Sequence, residues 1–231
     1  MLRTRKWAGV GVVLAAMGMA GVVMCVEAWG QGEGGGKFVA ADVAGAGDVA
    51  YPPNTTVTGL VSFLVKVDES GAAQEWRVAQ DMPPLTGAAV EAVKKWTFHA
   101  ATWNGKNVAA YLPVHVVFNP YNPGGTAVMG GGPQVPRAVP SNLGSWMPPQ
   151  VRMASYAFYP TNTQAQGTVV LSVEIGKAGH VGKIRVVQGV AGLNDAAIEA
   201  VKQWGFQPAM RDGQTGEGRV CVAFVFQRNL G

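Results

Sequence analysis

Gly59-Leu-Val-Ser-Phe-Leu-Val-Lys-Val67, followed by Asp68-Glu-Ser-Gly71, returns 108 residues later as Gly167-Thr-Val-Val-Leu-Ser-Val-Glu-Ile175, followed by Gly176-Lys-Ala-Gly179. Each run alternates. Val61, Phe63, Val65 and Val67 share one face of an extended chain, as do Val169, Leu171, Val173 and Ile175, while Ser62, Lys66, Ser172 and Glu174 point the other way. Period two over that length reads as a half-buried strand, and the glycine closing each turn suits the left-handed residue of a hairpin. Working outward, the same shift lays Tyr51–Phe118 on Tyr159–Phe226 without a gap, with 25 of 68 positions identical. A period this long marks a duplicated small domain, since solenoid repeats run to roughly 20–50 residues. Residue types held in both copies serve the fold; differences mark where function has diverged.

The return strands carry Trp76, Val78 and Ile184, Val186 inward, with Arg77 and Arg185 outward. Thr86 and Asn194 stand at equivalent places before Ala-rich stretches and are expected to cap helices by accepting a free backbone N–H. Ala89, Val93, Trp96 and Ala197, Val201, Trp204 then recur at i, i+4, i+7, a stripe that covers a sheet. Asn104-Gly105 and Asp212-Gly213 turn the chain toward a last strand whose inward sets are Leu112, Val114, Val116, Phe118 and Val220, Val222, Phe224, Phe226. The expected class is α+β: two tandem ββαβ domains, each a three-stranded antiparallel sheet with one helix on one face. Residues 51–120 form domain 1 and 151–231 domain 2. Residues 31–50, rich in Gly and Ala, read as a flexible tether, and the Pro/Gly-dense residues 121–150 as a linker without regular elements.

Tyr159-Pro160, Gly167-Thr-Val-Val-Leu-Ser-Val173, Gly192-Leu-Asn-Asp195 and Trp204-Gly-Phe-Gln-Pro208 resemble the TonB C-terminal domain family, and copy one repeats the pattern less closely. Copy one departs at Met82-Pro-Pro84, before the helix, and at His99-Ala100. The resemblance implies a Gram-negative envelope protein related to TonB-dependent energy transduction and transmembrane transport. It also implies capture of an extended peptide, from an outer-membrane TonB-dependent receptor or another envelope protein, on the open edge of the last strand. In copy two that edge is Arg219, Val220, Cys221, Val222, Ala223, Phe224, Val225 and Phe226. Its counterpart, Tyr111–Phe118, contains Pro113, which cannot donate to a ladder, so copy two is expected to offer the working edge. Family members couple to their motor through Ser-x-x-x-His in the anchor, and residues 1–30 hold neither serine nor histidine. The alternative reading is a periplasmic scaffold that forms a homodimer by strand exchange, with no transport role.

Met1–Lys6 is basic and residues 7–26 are uncharged and apolar, with Ala28-Trp29-Gly30 at the end. Two readings stay open: a signal peptide cleaved near Gly30, leaving a soluble periplasmic protein, or an uncleaved anchor to the inner membrane through residues 7–26. Either way the rest of the chain is exported. Removing residues 1–30 lowers the formal charge from +4 to +2, so the basic balance belongs to the leader and does not argue for nucleic acid. Cys221 is then the lone cysteine and reads as a small strand residue. His99, His115 and His180 have no metal-ligand spacing, and His115 and His180 are expected in solvent. There is no nucleophile elbow and no phosphate loop, so no enzyme, cofactor or metal site is expected; Trp96, Trp204, Phe98 and Phe206 read as core.

Overall fold

A computed structural model describes residues 36–119, 146–161 and 163–228. The first copy runs β1 (Phe38–Val39), β2 (Asp42–Gly45), β3 (Gly59–Val67), β4 (Ala73–Gln80), α1 (Leu85–Val93), β5 (Thr97–His99), β6 (Ala101–Trp103), β7 (Lys106–Val108) and β8 (Ala110–Phe118). The second repeats it: β9 (Trp146–Met147), β10 (Gln150–Met153), β11 (Gly167–Ile175), β12 (Val181–Gln188), α2 (Asn194–Lys202), β13 (Gly205–Gln207), β14 (Ala209–Arg211), β15 (Gln214–Gly216) and β16 (Gly218–Phe226). The α+β class holds, with strands dominating and two helices, but the arrangement is not two separate three-stranded sheets. One six-stranded sheet of order β12-β11-β16-β8-β3-β4 runs through both copies, and four two- or three-stranded ribbons accompany it.

Within each copy the three long strands are antiparallel, and β3–β8 and β11–β16 each match over nine pairs. The copies meet where β16 lies parallel to β8 over five pairs, Cys221↔Val114 to Val225↔Phe118. That register is 107, one less than the repeat, so each residue lies beside the sequence neighbour of its own counterpart. Faces alternate with period two and laterally paired residues share a face, so a register offset of one turns copy two over relative to copy one. Val114 and Val116 accordingly share a core with Cys221 and Ala223 beneath α1, while Leu60 and Val117 join Val222 and Phe224 beneath α2.

This inversion corrects the half-buried strands. Ser62 and Ser172, expected to face solvent, are buried, because the face opposite each helix is covered by the other copy's segments. At the outer strands burial relaxes instead, and Val78 and Val186, expected inward, are 44% and 38% exposed. Trp96, Trp204, Phe98 and Phe206 are core, as read.

The tether is a second correction. Residues 38–45 form β1 and β2, which pair with β6 and β5, and Ala41, Val43 and Val49 are buried. Residues 146–153, partly assigned to the linker, do the same through β9–β14 and β10–β13. The repeat therefore begins upstream of Tyr51. Trp96 Nε1–H donates to the Gly47 carbonyl and Trp204 Nε1–H to the Ser155 carbonyl, each at 3.1 Å, across equivalent positions. The remainder of the linker, residues 120–145, and the leader lie outside the described residues.

Neither helix is capped as the sequence suggested. Thr86 Oγ1 accepts from the Met82 N–H and Asn194 Oδ1 from the Val190 N–H, each at 2.8 Å, so both side chains pin the approaching loop instead of the helix's own free N–H groups. Gly71 and Gly179 sit at φ +89° and +81°, and a Cβ there would stand 2.6 Å from the Phe98 carbonyl oxygen and 2.1 Å from that of Phe206. Both positions need glycine for conformation and for space.

Candidate partner-binding site

The strand expected to present an open edge is interior. Arg219–Phe226 lies in β16, with β11 on one side over its whole length and β8 on the other from Cys221 to Val225. Every side chain from Val220 to Phe226 is buried. The reason is the second copy itself: the unpaired backbone groups of two edges on one chain satisfy each other. Pro113, expected to blunt copy one, marks where that seam stops, because pairing begins at Val114 immediately after it. Lacking an N–H, proline could not extend the ladder.

The seam divides into two parts. From Val114 to Phe118 it is zipped. Toward the strand starts, Ala110–Leu112 pairs with β3 and Gly218–Val220 with β11, but neither pairs with the other. The parallel ladder of five pairs is shorter than the antiparallel β3–β8 and β11–β16 ladders on either side of it, which run to nine.

Polar groups flank the zipped part on both faces. On the α2 face His115 is buried, with Ser62 Oγ 2.8 Å from its Nδ1 and its Nε2 without a hydrogen-bond partner among the described residues. Its ring lies 6.0 Å from Trp204 and 6.5 Å from Phe206, centroid to centroid. Burial pulls its pKa down to about 3, so the imidazole is neutral, contrary to the solvated position expected from strand alternation. His180 is exposed, as expected. On the α1 face Asp42 is the hub. Its Oδ1 accepts from Ser172 Oγ at 2.6 Å, and its Oδ2 accepts from Arg185 at 2.6 Å and Arg219 at 3.1 Å. Arg219 also donates to Glu174 at 2.6 Å. Asp42 comes from copy one and the other four from copy two, so the network straps the copies together. Sequence reasoning missed it because Asp42 was read as tether and its counterpart is Gln150.

Cys221 is fully buried, and burial pushes its thiol up, with the Asp42 carboxylate adding to the shift. The thiol stays protonated and shielded, a packing group opposite Val114. Among the described residues no three His, Cys, Asp or Glu side chains gather as metal ligands, and no helix is long and apolar enough to cross a membrane.

Comparison with known proteins follows the repeat. The family described as Gram-negative bacterial TonB protein C-terminal matches residues 53–120 and 156–227, together more than half of the chain. Protein tonB2 of Pseudomonas aeruginosa is 38% identical over 66 residues, which is 28% of this chain and 24% of that protein. The chain thus matches about a quarter of the length of this relative. No solved structure matches.

Proposed function

Because the chain belongs to the Gram-negative TonB C-terminal family, with two copies of the domain in tandem, we propose that it is a non-enzymatic envelope protein that binds extended peptide segments by strand addition at Arg219–Phe226. Its partners are outer-membrane transporters or other envelope proteins. It works on the periplasmic side, either released near Gly30 or held to the inner membrane through residues 7–26.

The observation that carries this reading is that the edge already holds a strand: Val114–Phe118 is seated on Cys221–Val225. Copy one is an internal stand-in for the peptide. A tethered strand competes at an effective concentration of about millimolar, so a free peptide binds only the fraction of molecules in which the seam has parted, and its apparent affinity falls by that fraction. The short parallel ladder favours parting at this joint over the nine-pair ladders that flank it.

The test uses the full chain and one substitution. Val114→Cys places a thiol opposite Cys221, its lateral partner, and oxidation locks the seam. Calorimetric titration with an end-blocked receptor-derived peptide should show binding by the reduced protein and at least a tenfold loss in the oxidised one. Equal binding by the locked protein would overturn the assignment to Arg219–Phe226. Because Val222→Pro removes a donor from a strand paired on both sides, it is expected to abolish capture but also to destabilise the sheet, so the reversible lock is the cleaner variant.

A second reading, a scaffold with no transport role, is favoured by the same closed seam. If no receptor peptide binds the reduced protein at millimolar concentration, the scaffold reading replaces the first.

A further inference from the structure

The two copies are related by an approximate two-fold axis along the seam, and at the unzipped end equivalent residues meet across it. Phe38 packs on Trp146, with ring centroids 5.1 Å apart, and the Arg211 guanidinium sits 3.8 Å over the ring of Trp103. Positions 38 and 146, like 103 and 211, are one repeat apart. Phe38 lines two clefts, one of about 330 Å³ that also takes in Trp103, Trp146 and Arg211, and one of about 350 Å³.

The clefts share a backbone origin and differ in chemistry. The first is lined by Phe38, Trp103, Tyr111 and Trp146 with Lys66 and Arg211. At the counterpart positions the second has Glu174 for Lys66, Arg219 for Tyr111 and Glu217 for Ala109. A feature the fold required would be kept in both. The second cleft keeps one aromatic, Phe38, and balances Lys37 and Arg219 with Glu174 and Glu217, whereas the first gathers four aromatics with Lys66 and Arg211 and has no carboxylate in its lining, so that combination is specific to the first.

We propose that the Phe38–Trp103–Tyr111–Trp146 cleft binds an extended segment of a partner protein in which an aromatic side chain stands among acidic ones. Lys66 makes no ion pair within 4 Å among the described residues, although Glu75 stands opposite it across β3–β4 and feels its charge, and Arg211, stacked over Trp103, has the exposed Asp212 carboxylate at 3.6 Å. Two cations over an apolar bed select an anion with an apolar body, and aromatic faces take a further ring by stacking or edge contact. The backbone favours a peptide: Ala109, which lines the cleft, is exposed and belongs to no strand, so an extended segment can reach the main chain beside the start of β8. The volume falls at the lower end of ligand sites, enough for one large side chain and its flanks. The inference rests on the reading of the chain as a peptide-binding module and gives that module a second point of grip, beyond the seam.

The experiment is an NMR titration of the ¹⁵N-labelled full chain, following indole N–H and backbone amide signals together. The probe is an end-blocked heptapeptide with one phenylalanine flanked on each side by two glutamates; the control has lysines for glutamates. Expected are saturable shifts of the Trp103 and Trp146 indoles, a dissociation constant raised at least tenfold in Lys66→Glu and in Arg211→Glu, and no change in Glu217→Lys. The lysine peptide should leave the indoles still. No indole shift at millimolar peptide, equal shifts with the lysine peptide, or indifference to both charge reversals would each overturn the site. So would shifts caused by a muramic-acid disaccharide and not by the peptide, which would make the occupant a carboxylated glycan. A receptor peptide that moves the seam amides while the acidic heptapeptide leaves the indoles still would refute this cleft and leave the proposed function standing.

Discussion

His115 is held neutral by burial among Ser62, Trp204 and Phe206, and this sets the acid behaviour of the seam. An unfolded chain protonates its histidine near pH 6.5, while the folded protein resists until about 3. The folded pKa is depressed, so the stabilisation is fully present above pH 6.5 and is lost as pH falls through that window. The expected slope from this group is about 1.4 kcal/mol per pH unit. Denaturant midpoints of wild type and His115→Leu between pH 7 and 4 should converge, the variant starting lower because Ser62 loses its partner. Parallel profiles would show that His115 does not titrate as described. Glycine gives a second contrast at this scale. Gly179→Ala meets the Phe206 carbonyl oxygen and a positive φ, and should cost about 2–4 kcal/mol. Gly213→Ala has a similar φ of +80° but nothing within 4 Å, and should cost about 1 kcal/mol. Thermal or denaturant unfolding of the two variants separates space from conformation, and equal losses would contradict the close approach at Gly179.

Among the elements, the sheet strands and helices were legible because their signals are local. Alternation placed β3 and β11, the i, i+4, i+7 stripe placed α1 and α2, and Asn104-Gly105 and Asp212-Gly213 take the paired positive φ values of tight hairpins. Those turns close β6 on β7 and β14 on β15, a pair of ribbons too short for a periodic pattern to reveal. The strands of residues 38–45 were not legible for a related reason. Aligned at the repeat, residues 38–50 and 146–158 share only Val43/Val151 and Ala46/Ala154, and their partners are three-residue strands far along the chain. Function at this level was not legible: β16 was expected to be an open edge, and nothing in one copy's pattern says that the other copy's β8 pairs with it. Asp42 offers the matching prediction. Asp42→Ala leaves Arg219 and Ser172 without their shared acceptor beneath the sheet and should cost about 2 kcal/mol, less than a fully buried pair because Arg185 is half in solvent. A loss under about 0.5 kcal/mol by denaturant unfolding would show that the strap contributes little.

For the whole molecule, the register of 107 is the deciding quantity. It turns the copies over, gives each core residues from both, and makes the described residues one compact unit in place of two tethered domains. Scanning calorimetry should therefore show one cooperative transition; two resolved transitions would mean that the copies fold apart. The same closure separates this chain from a domain with a waiting edge, because any incoming strand must compete with one already seated. Amide hydrogen exchange of the full chain without peptide tests that most directly. Slow exchange of Val114–Phe118 and Cys221–Val225, faster than the amides of β3 and β11 but far below the rate of an unpaired edge, is the predicted result. Exchange of the β16 amides within minutes, while β3 and β11 stay protected, would contradict it and return Arg219–Phe226 to the status of an open edge.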